Sequence, residues 1–580
     1  MLYTEKEVCF GRLRFIFFLF TFFYILVLSS LFKTQVLESN KWQSVARNQQ
    51  FKTDKILAKR GNIVSSDGFI LASSAYFYNL YANPSVFSNE YDSTTLDIFN
   101  ILNPNLEKKE KLDMENTWKE ALKDKNKKFV YLQKNIEYKV GEEIKSKLPT
   151  GFGLESVVKR NYPDKFTFSH ILGFVGTDKN GEKGFFGIEG MYDGSLAGTS
   201  GFISQDKSAL GSPILFAQKD QIEPINGAKI TLTLDRNIQN IVFVELKKAV
   251  TAYGAKSATA IVVKPQTGEI LALANYPSYD AKEYSKNYNE DPTIFLNKAV
   301  SSVYEPGSVI KALTVSSAID LNLFNPDTVF VDGGKVYYGN YYIDNWDGKH
   351  HGEITVARVL ELSNNIGASQ IGLKVGKENL YKYFKAFSFN EKLGVDLQGE
   401  ETGQIRNFES WQDLDLATAS FGQGFSATPL QVAMAFSAIA NEGVLMKPHI
   451  VSKIESDEKK IIKEPEKIRQ VITKKSATLM VNLLENAVAK GEAQFFVSKK
   501  YNVAGKTGTA QISENGKYLK DATNATFVGF LPNYREFVML VKLERPTSST
   551  YASETAVPTW MRIAEKMLLY YGFAPDKKNE

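Results

Sequence analysis

Cysteine is almost missing from this chain: Cys9 is the only one in 580 residues. It precedes the apolar N-terminal run, so everything beyond that run is thiol-free. Intramolecular disulfides, zinc–cysteine centres and a cysteine nucleophile in the main body are thereby excluded. Histidine is nearly as scarce, with His170, His350, His351 and His449. None has the H-E-x-x-H spacing of a metal helix, and no G-x-S-x-G elbow is present. His350 and His351, near Asp344 and Asp347, read as a solvated loop, because adjacent histidines do not easily face one coordination sphere. A dominant charge is lacking too. Seventy Lys and Arg stand against 65 Asp and Glu, interleaved to a net +5, with no dense basic patch for nucleic acid. No internal repeat is visible.

Three short motifs carry chemistry. Ser308-Val309-Ile310-Lys311, Ser363-Asn364-Asn365 and Lys506-Thr507-Gly508-Thr509-Ala510 match S-x-x-K, S-x-N and K-T-G, in that order. Together they mark a serine acyl-transferase whose base is lysine. Each alone has a bland reading: a helix start, a polar turn, an edge strand with one lysine. Their joint occurrence overturns it. Glu305-Pro306-Gly307 reads as a turn before a helix from Ser308 to Ile319. Ser308 and Lys311, three apart, share one face, so the amine can reach the hydroxyl. The helix N-terminus favours a developing anion at Ser308. Its field and the charge of Lys506 both favour a neutral Lys311, able to act as base. The Ser363 hydroxyl is expected beside Lys311 as a proton relay to the leaving group, and Asn365 is expected to hold a substrate amide. Lys506, Thr507 and Thr509 suit a carboxylate. The N–H groups of Ser308 and Thr509 would form an oxyanion hole.

Phe15 to Phe32, FIFFLFTFFYILVLSSLF, is about the minimum length for a membrane helix. Lys6, Arg12 and Arg14 precede it, which predicts a cytoplasmic N-terminus and an exported remainder. Ser29 and Ser30 are small, but no good A-x-A site follows, favouring an uncleaved anchor over a signal peptide. Residues 33 to about 57 read as a helical stalk. Gly61 to Tyr81 reads as short strands, residues 105 to 147 as containing an exposed helix, and Phe152 to about Phe216 as strands and glycine turns. From Ile230 helices and strands alternate: a helix near Ile238 to Ala249, strands at Thr259 to Val263 and Glu269 to Asn275, a helix from Ala417 to Asn441, strands at Thr526 to Leu531 and Phe537 to Leu543, and a last helix at Trp560 to Tyr571.

YEPGSVIK and GKTGTAQ resemble the first and third active-site motifs of the class B penicillin-binding proteins, the monofunctional peptidoglycan D,D-transpeptidases. Ile230 to Gln239, Thr259 to Asp280, Lys59 to Ala72, Arg160 to Pro163 and Gly187 to Gly198 resemble further boxes of that family, so the likeness spans nearly the whole chain. Ser363-Asn364-Asn365 departs from its Ser-Ser-Asn only in the middle, and Ser65-Ser66 stands where an Asp-Arg pair is usual. The resemblance implies an α/β transpeptidase sandwich, an antiparallel sheet flanked by helices, on an elongated β-rich α+β pedestal with one transmembrane helix. Its segments would be a cytoplasmic tail (1–14), an anchor (15–32), a pedestal of the dimerisation type (33–228) and a transpeptidase domain (229–575). It implies that Ser308 attacks a D-Ala-D-Ala carbonyl with Lys311 as base, Ser363 as relay and Asn365 positioning the amide. Lys506, Thr507, Gly508 and Thr509 would bind the terminal carboxylate. An amine of a second stem peptide would then resolve the acyl-enzyme. No cofactor or metal is implied. The partners implied are stem peptides, β-lactams, a lipid II glycosyltransferase of the shape, elongation, division and sporulation class, and division-complex membrane proteins. Arg160-Asn161-Tyr162-Pro163 and the short Ser308–Ser363 spacing lean towards the septal branch. The alternatives are an elongation-type transpeptidase, a D,D-carboxypeptidase or serine β-lactamase, and a non-catalytic β-lactam sensor or scaffold.

Overall fold

A computed structural model describes residues 4–87, 92–179, 181–206, 219–514 and 517–577. The chain forms two compact units, one from residues 1–58 and 198–226, the other from 59–197 and 227–580.

In the first unit a helix runs from Thr4 to Phe32, and a π-helical turn, Lys33–Leu37, continues it. The candidate membrane span Phe10–Leu37 is 28 residues long, and its most apolar 18-residue window has a mean hydropathy of 2.5. At 1.5 Å per residue the span reaches roughly 40 Å, enough for a hydrocarbon core. The Thr21 hydroxyl bonds back to the Phe17 carbonyl at 2.8 Å, so this polar group needs no water. The stalk expected to be helical to residue 57 is so only through the helix Ser39–Gln50. Phe51–Ile56 is a strand instead, because Gly201–Asp206 supplies it with an antiparallel partner and Lys219–Ile222 pairs on the far side. The part of the Phe152-to-Phe216 reading beyond Asp206 lies outside the described residues.

In the second unit Gly61 to Tyr81 gives one short strand, Ile63–Val64, and one of 13 residues, Ile70–Ala82. The long strand has neighbours on both sides, Val130–Glu137 and Phe152–Asn161, which is why it does not break up. The charged helix Lys108–Lys123 exposes most of its length but buries Trp118, set edge-on to Phe99 with ring centres 5.2 Å apart. Strand Ile63–Val64 pairs in parallel with Lys229–Leu232, which pairs with Val451–Glu455. One sheet thus joins segments nearly 400 residues apart, a pairing no local pattern announces.

The family boxes of the pedestal converge on one carboxylate. Glu189, whose side chain is fully buried, receives the Nε–H groups of Arg60 and Arg160, each at 2.6 Å. Arg60 also reaches Asp193 at 2.7 Å. Removing one partner of a buried network leaves uncompensated charge. Glu189→Ala is therefore expected to cost about 3–5 kcal/mol, read as a lower denaturation midpoint of the detergent-solubilised chain. A change below about 1 kcal/mol would show that the network carries no stability.

The main sheet has five antiparallel strands in the order 270–276, 257–263, 538–544, 517–530, 504–514. Every residue of Ser257–Val263 is buried, because the two faces meet different cores. Ala260 and Val262 face the helices Arg236–Tyr253 and Ala556–Tyr571. Ile261 and Val263 join the core of Leu313, Phe436 and Leu484, from helices Lys311–Asp320, Pro429–Ala440 and Lys474–Lys490. The helix expected over Ala417 to Asn441 is two helices, Asp413–Ala419 and Pro429–Ala440. Gly422 and Gly424, both at positive φ, turn the chain between them.

Candidate active site

The active-site helix does not begin as the spacing predicts. Gly307–Ile310 is a 3₁₀ turn, and the α-helix starts only at Lys311. A 3₁₀ turn eclipses residues i and i+3, so Ser308 and Lys311 lie directly in line. Lys311 Nζ sits 3.0 Å from Ser308 Oγ. Gly307 has φ +62°, and a Cβ there would come within 3.1 Å of the Ala510 side chain. Across this contact a Cβ at Gly508 would meet the Pro306 carbonyl at 2.9 Å and Val309 at 3.0 Å. The glycine of K-T-G is what lets the edge strand Ala504–Glu514 close on the serine turn.

Ser363 occupies the corner between helices Val356–Glu361 and Asn365–Val375 with φ +52°, unusual for a side-chain-bearing residue. The corner turns both its carbonyl and its hydroxyl towards Lys311, the hydroxyl at 3.2 Å. Lys506 Nζ reaches the same hydroxyl from the edge strand at 3.0 Å, and Thr507 Oγ1 at 3.2 Å. With an amine on each lone pair of Ser363 Oγ, its own proton is free to be donated. Asn365 accepts from Lys311 Nζ through Oδ1 at 2.8 Å and donates through Nδ2 to the Asp344 carbonyl at 2.8 Å.

Asn364, the departing middle residue, is buried away from the cleft. Its Oδ1 caps the following helix at Gly367 N, and its Nδ2 donates to Asp332 at 2.7 Å. The Asp332 carboxylate also accepts from Asn345 Nδ2 at 2.7 Å and the His351 N–H at 3.1 Å. Burial raises its proton affinity, but these donors more than offset that and hold it ionised.

Lys311 is wholly buried. Burial drives its pKa well below the usual lysine range, and the Lys506 charge adds to this against an opposing pull from Glu492. The main cause is thus desolvation rather than the helix field that the sequence suggests. Burial also lowers Lys506, to about 8, with Glu492 again opposing. One lysine is held towards neutrality and the other nearer to charge, in adjacent places.

The groups surround a cavity of about 320 Å³ lined by Ser308, Ser363, Asn365, Thr507 and Thr509. Thr509 Oγ1 accepts the Ala552 N–H at 3.1 Å. Lys311 and Lys506 are buried and do not line the cavity, but their amines bond to Ser308, Ser363 and Asn365, which do, while Gly508 packs against Pro306 and Val309. The sequence reading missed Trp346, Gln423, Glu492 and Tyr551, which also line it. Trp346 and Tyr551 stand edge-to-face, 5.7 Å apart, and the Trp346 indole N–H is fixed on the Leu362 carbonyl at 3.1 Å. Both come from irregular segments whose composition carries no signal.

Residues 258–565 match the penicillin binding protein transpeptidase domain family. The chain belongs to that family. Residues 55–232 match the penicillin-binding protein dimerisation domain, which makes it a class B penicillin-binding protein. Stage V sporulation protein D of Bacillus subtilis is 30% identical over 98% of this chain and 86% of its own length. A probable peptidoglycan D,D-transpeptidase, PenA of Neisseria gonorrhoeae, is 28% identical over 98% of this chain and 94% of its own. The crystal structure of penicillin binding protein 2X from Streptococcus thermophilus superposes with a TM-score of 0.76 at 23% identity, covering 89% of this chain and 80% of that one. At that identity the likeness shows the fold, an α/β transpeptidase sandwich. Among its described residues this penicillin-binding protein also has one helix, near the N-terminus, long and apolar enough to cross a membrane.

Proposed function

We propose that this chain is a peptidoglycan D,D-transpeptidase working through a Ser308 acyl-enzyme. The observation that carries the reading is the buried Lys311 amine, 3.0 Å from Ser308 Oγ, sharing the Ser363 hydroxyl with Lys506. Neutral Lys311 takes the Ser308 proton as Oγ attacks the penultimate D-alanine carbonyl. The N–H groups of Ser308 and Thr509 receive the oxyanion. The C–N bond breaks, and the proton passes through Ser363 to the departing D-alanine. Lys506, Thr507, Gly508 and Thr509 hold the terminal carboxylate, and Asn365 both aligns Lys311 and faces the substrate amide. A second stem's amine then takes the acyl group. The probable-transpeptidase name of the Neisseria relative supports this reading.

The apolar run Phe15 to Phe32 within the N-terminal helix, with Lys6, Arg12 and Arg14 before it, supports a single-pass anchor in the bacterial cytoplasmic membrane, N-terminus inside and catalytic domain outside. The segment limits 1–14, 15–32, 33–228 and 229–575 stand as part of the proposal. So do a partner lipid II glycosyltransferase, division-complex proteins and the septal branch, the last resting on Arg160-Asn161-Tyr162-Pro163 and the Ser308–Ser363 spacing.

The test is penicillin acylation followed across pH. Intact mass should gain one adduct, on the peptide holding Ser308. The second-order rate should rise as Lys311 loses its proton. It should fall again above about pH 8, where Lys506 becomes neutral and no longer holds the carboxylate. A rate still climbing at pH 10 would remove Lys506 from carboxylate binding.

A further inference from the structure

One wall of the catalytic cavity carries a charge that the mechanism leaves unused. Among the described residues lining that cavity, Glu492 alone has a charged side chain. Its place is fixed by the residue before it. The helix Lys474–Lys490 ends at Gly491, where a Cβ would meet the Ala487 carbonyl at 2.3 Å and the Glu361 carbonyl at 2.6 Å. Only glycine lets the backbone press so closely on the corner that carries Ser363. The 3₁₀ turn Glu492–Phe495 follows at once. Glu492 also lines a gap of about 10 Å³ together with Glu361, Lys506 and Thr507. It is partly buried and, among the described residues, held by no hydrogen bond or ion pair. The other charges that face this place have partners. Glu361, from helix Val356–Glu361, is bonded to Arg358 at 2.8 Å and has Lys490 at 4.0 Å. Lys311 and Lys506, from the active-site helix and the edge strand, share the Ser363 hydroxyl at 3.2 and 3.0 Å.

Two buried amines beside one hydroxyl can both be charged, both be neutral, or be one of each. With both charged, Ser308 has no base. With both neutral, no cation is left to hold a substrate carboxylate. Only the singly charged pair serves both needs. Desolvation favours the neutral pair, and like-charge repulsion disfavours the doubly charged one. An anion close by is what keeps the last proton in the site.

We propose that Glu492 is this anion: its carboxylate retains one positive charge on the lysine pair, and that charge resides on Lys506, leaving Lys311 as the base. The inference rests on the transpeptidase reading and deepens it. Glu492 acts through the lysines and touches no reacting atom, so it is a positioning residue, of charge rather than of shape. It attracts protons to both amines, which titrate as a pair. Lys311 takes the neutral form, because burial and the Lys506 charge both push it down, whereas Lys506 falls only to about 8.

The experiment is the second-order rate of penicillin acylation, measured across pH for the full-length, detergent-solubilised wild type, Glu492→Gln and Glu492→Asp. Glutamine keeps the size of the side chain and removes its charge. The carboxylate raises the proton affinity of both lysines, so its loss lowers both. The acid limb, where Lys311 sheds its proton, and the alkaline limb, where Lys506 does, should each move down by about one pH unit. Glu492→Gln is then faster than wild type on the acid limb and about tenfold slower on the alkaline one. Glu492→Asp keeps the charge and should fall between the two. Limbs that stay in place would overturn the proposal. So would a rate raised at every pH, which means that Glu492 only repels the incoming anion. A rate lowered at every pH together with the melting midpoint would make Glu492 a support of its turn, and would overturn the proposal as well. Wild-type chain that takes up no penicillin at all would instead refute the Ser308 reading on which the inference rests.

Discussion

Ser308→Ala takes up no penicillin adduct, however long it is incubated, while its circular dichroism and melting match wild type. The hydroxyl is the atom that must form the ester, and no neighbour can replace it. Ser363 Oγ lies between Lys311 and Lys506 at 3.2 and 3.0 Å, with both lone pairs engaged. That arrangement suits a proton donor, not a nucleophile. Folding survives, because Ser308 is only partly buried and Lys311 keeps Ser363 and Asn365 as partners. The decisive measurement is intact mass before and after penicillin, followed by peptide mapping. An adduct persisting in Ser308→Ala, on Ser363 or elsewhere, would end the assignment.

Lys311→Met comes next in size. The spacing S-x-x-K suggests a lysine at the edge of the site that could be cut back to alanine with little effect on packing. The structure shows otherwise: Lys311 is among the largest fully buried side chains. Truncation to alanine would open a cavity, so methionine, of similar length and apolar, is the cleaner probe. It removes the base and leaves Asn365 Oδ1 and the Ser363 carbonyl without their donor. The unmet acceptors should cost about 1–3 kcal/mol of stability. The acylation rate should fall by about 10²–10⁴-fold, the usual contribution of a general base. Stopped-flow or gel-based acylation reads the rate, and a denaturation curve reads the stability. Acylation within a fewfold of wild type would move the base elsewhere, with Lys506 the first group to test.

The other features legible in the chain were those carried by short-range spacing or by composition. An offset of three residues from Ser308 to Lys311 suffices to bring an amine to a hydroxyl on any helical turn. Gly508 between Thr507 and Thr509 reads as room for a ligand backbone, whereas the groups that crowd it in the structure are Pro306 and Val309 of the chain's own serine turn. The predominantly apolar run of 18 residues from Phe15 signals a spanning helix, and the candidate span in the structure runs from Phe10 to Leu37. Pro429 starts its helix, at the first turn, as its missing N–H allows.

What stayed hidden depended on partners far along the chain. Phe51–Ile56 looked like stalk until Gly201–Asp206 paired with it. Trp346 and Tyr551 form one wall from segments about 200 residues apart. Asn364 looked like a neutral departure from a motif, yet it is a buried cap on the Asp332 network. The left-handed corner at Ser363 and the 3₁₀ turn at Ser308 have no local signature either.

By itself, then, the sequence determined which chemical groups this penicillin-binding protein can bring to bear, and in what local order: a serine, two lysines, a relay hydroxyl, an amide, one membrane-length helix. Tertiary structure decided their states. Burial within the second unit drives Lys311 towards the neutral base and leaves Lys506, at about 8, closer to charge, although both begin as ordinary lysines. Desolvation depends on how much protein surrounds a group, and that is a property of packing, which no window of sequence contains.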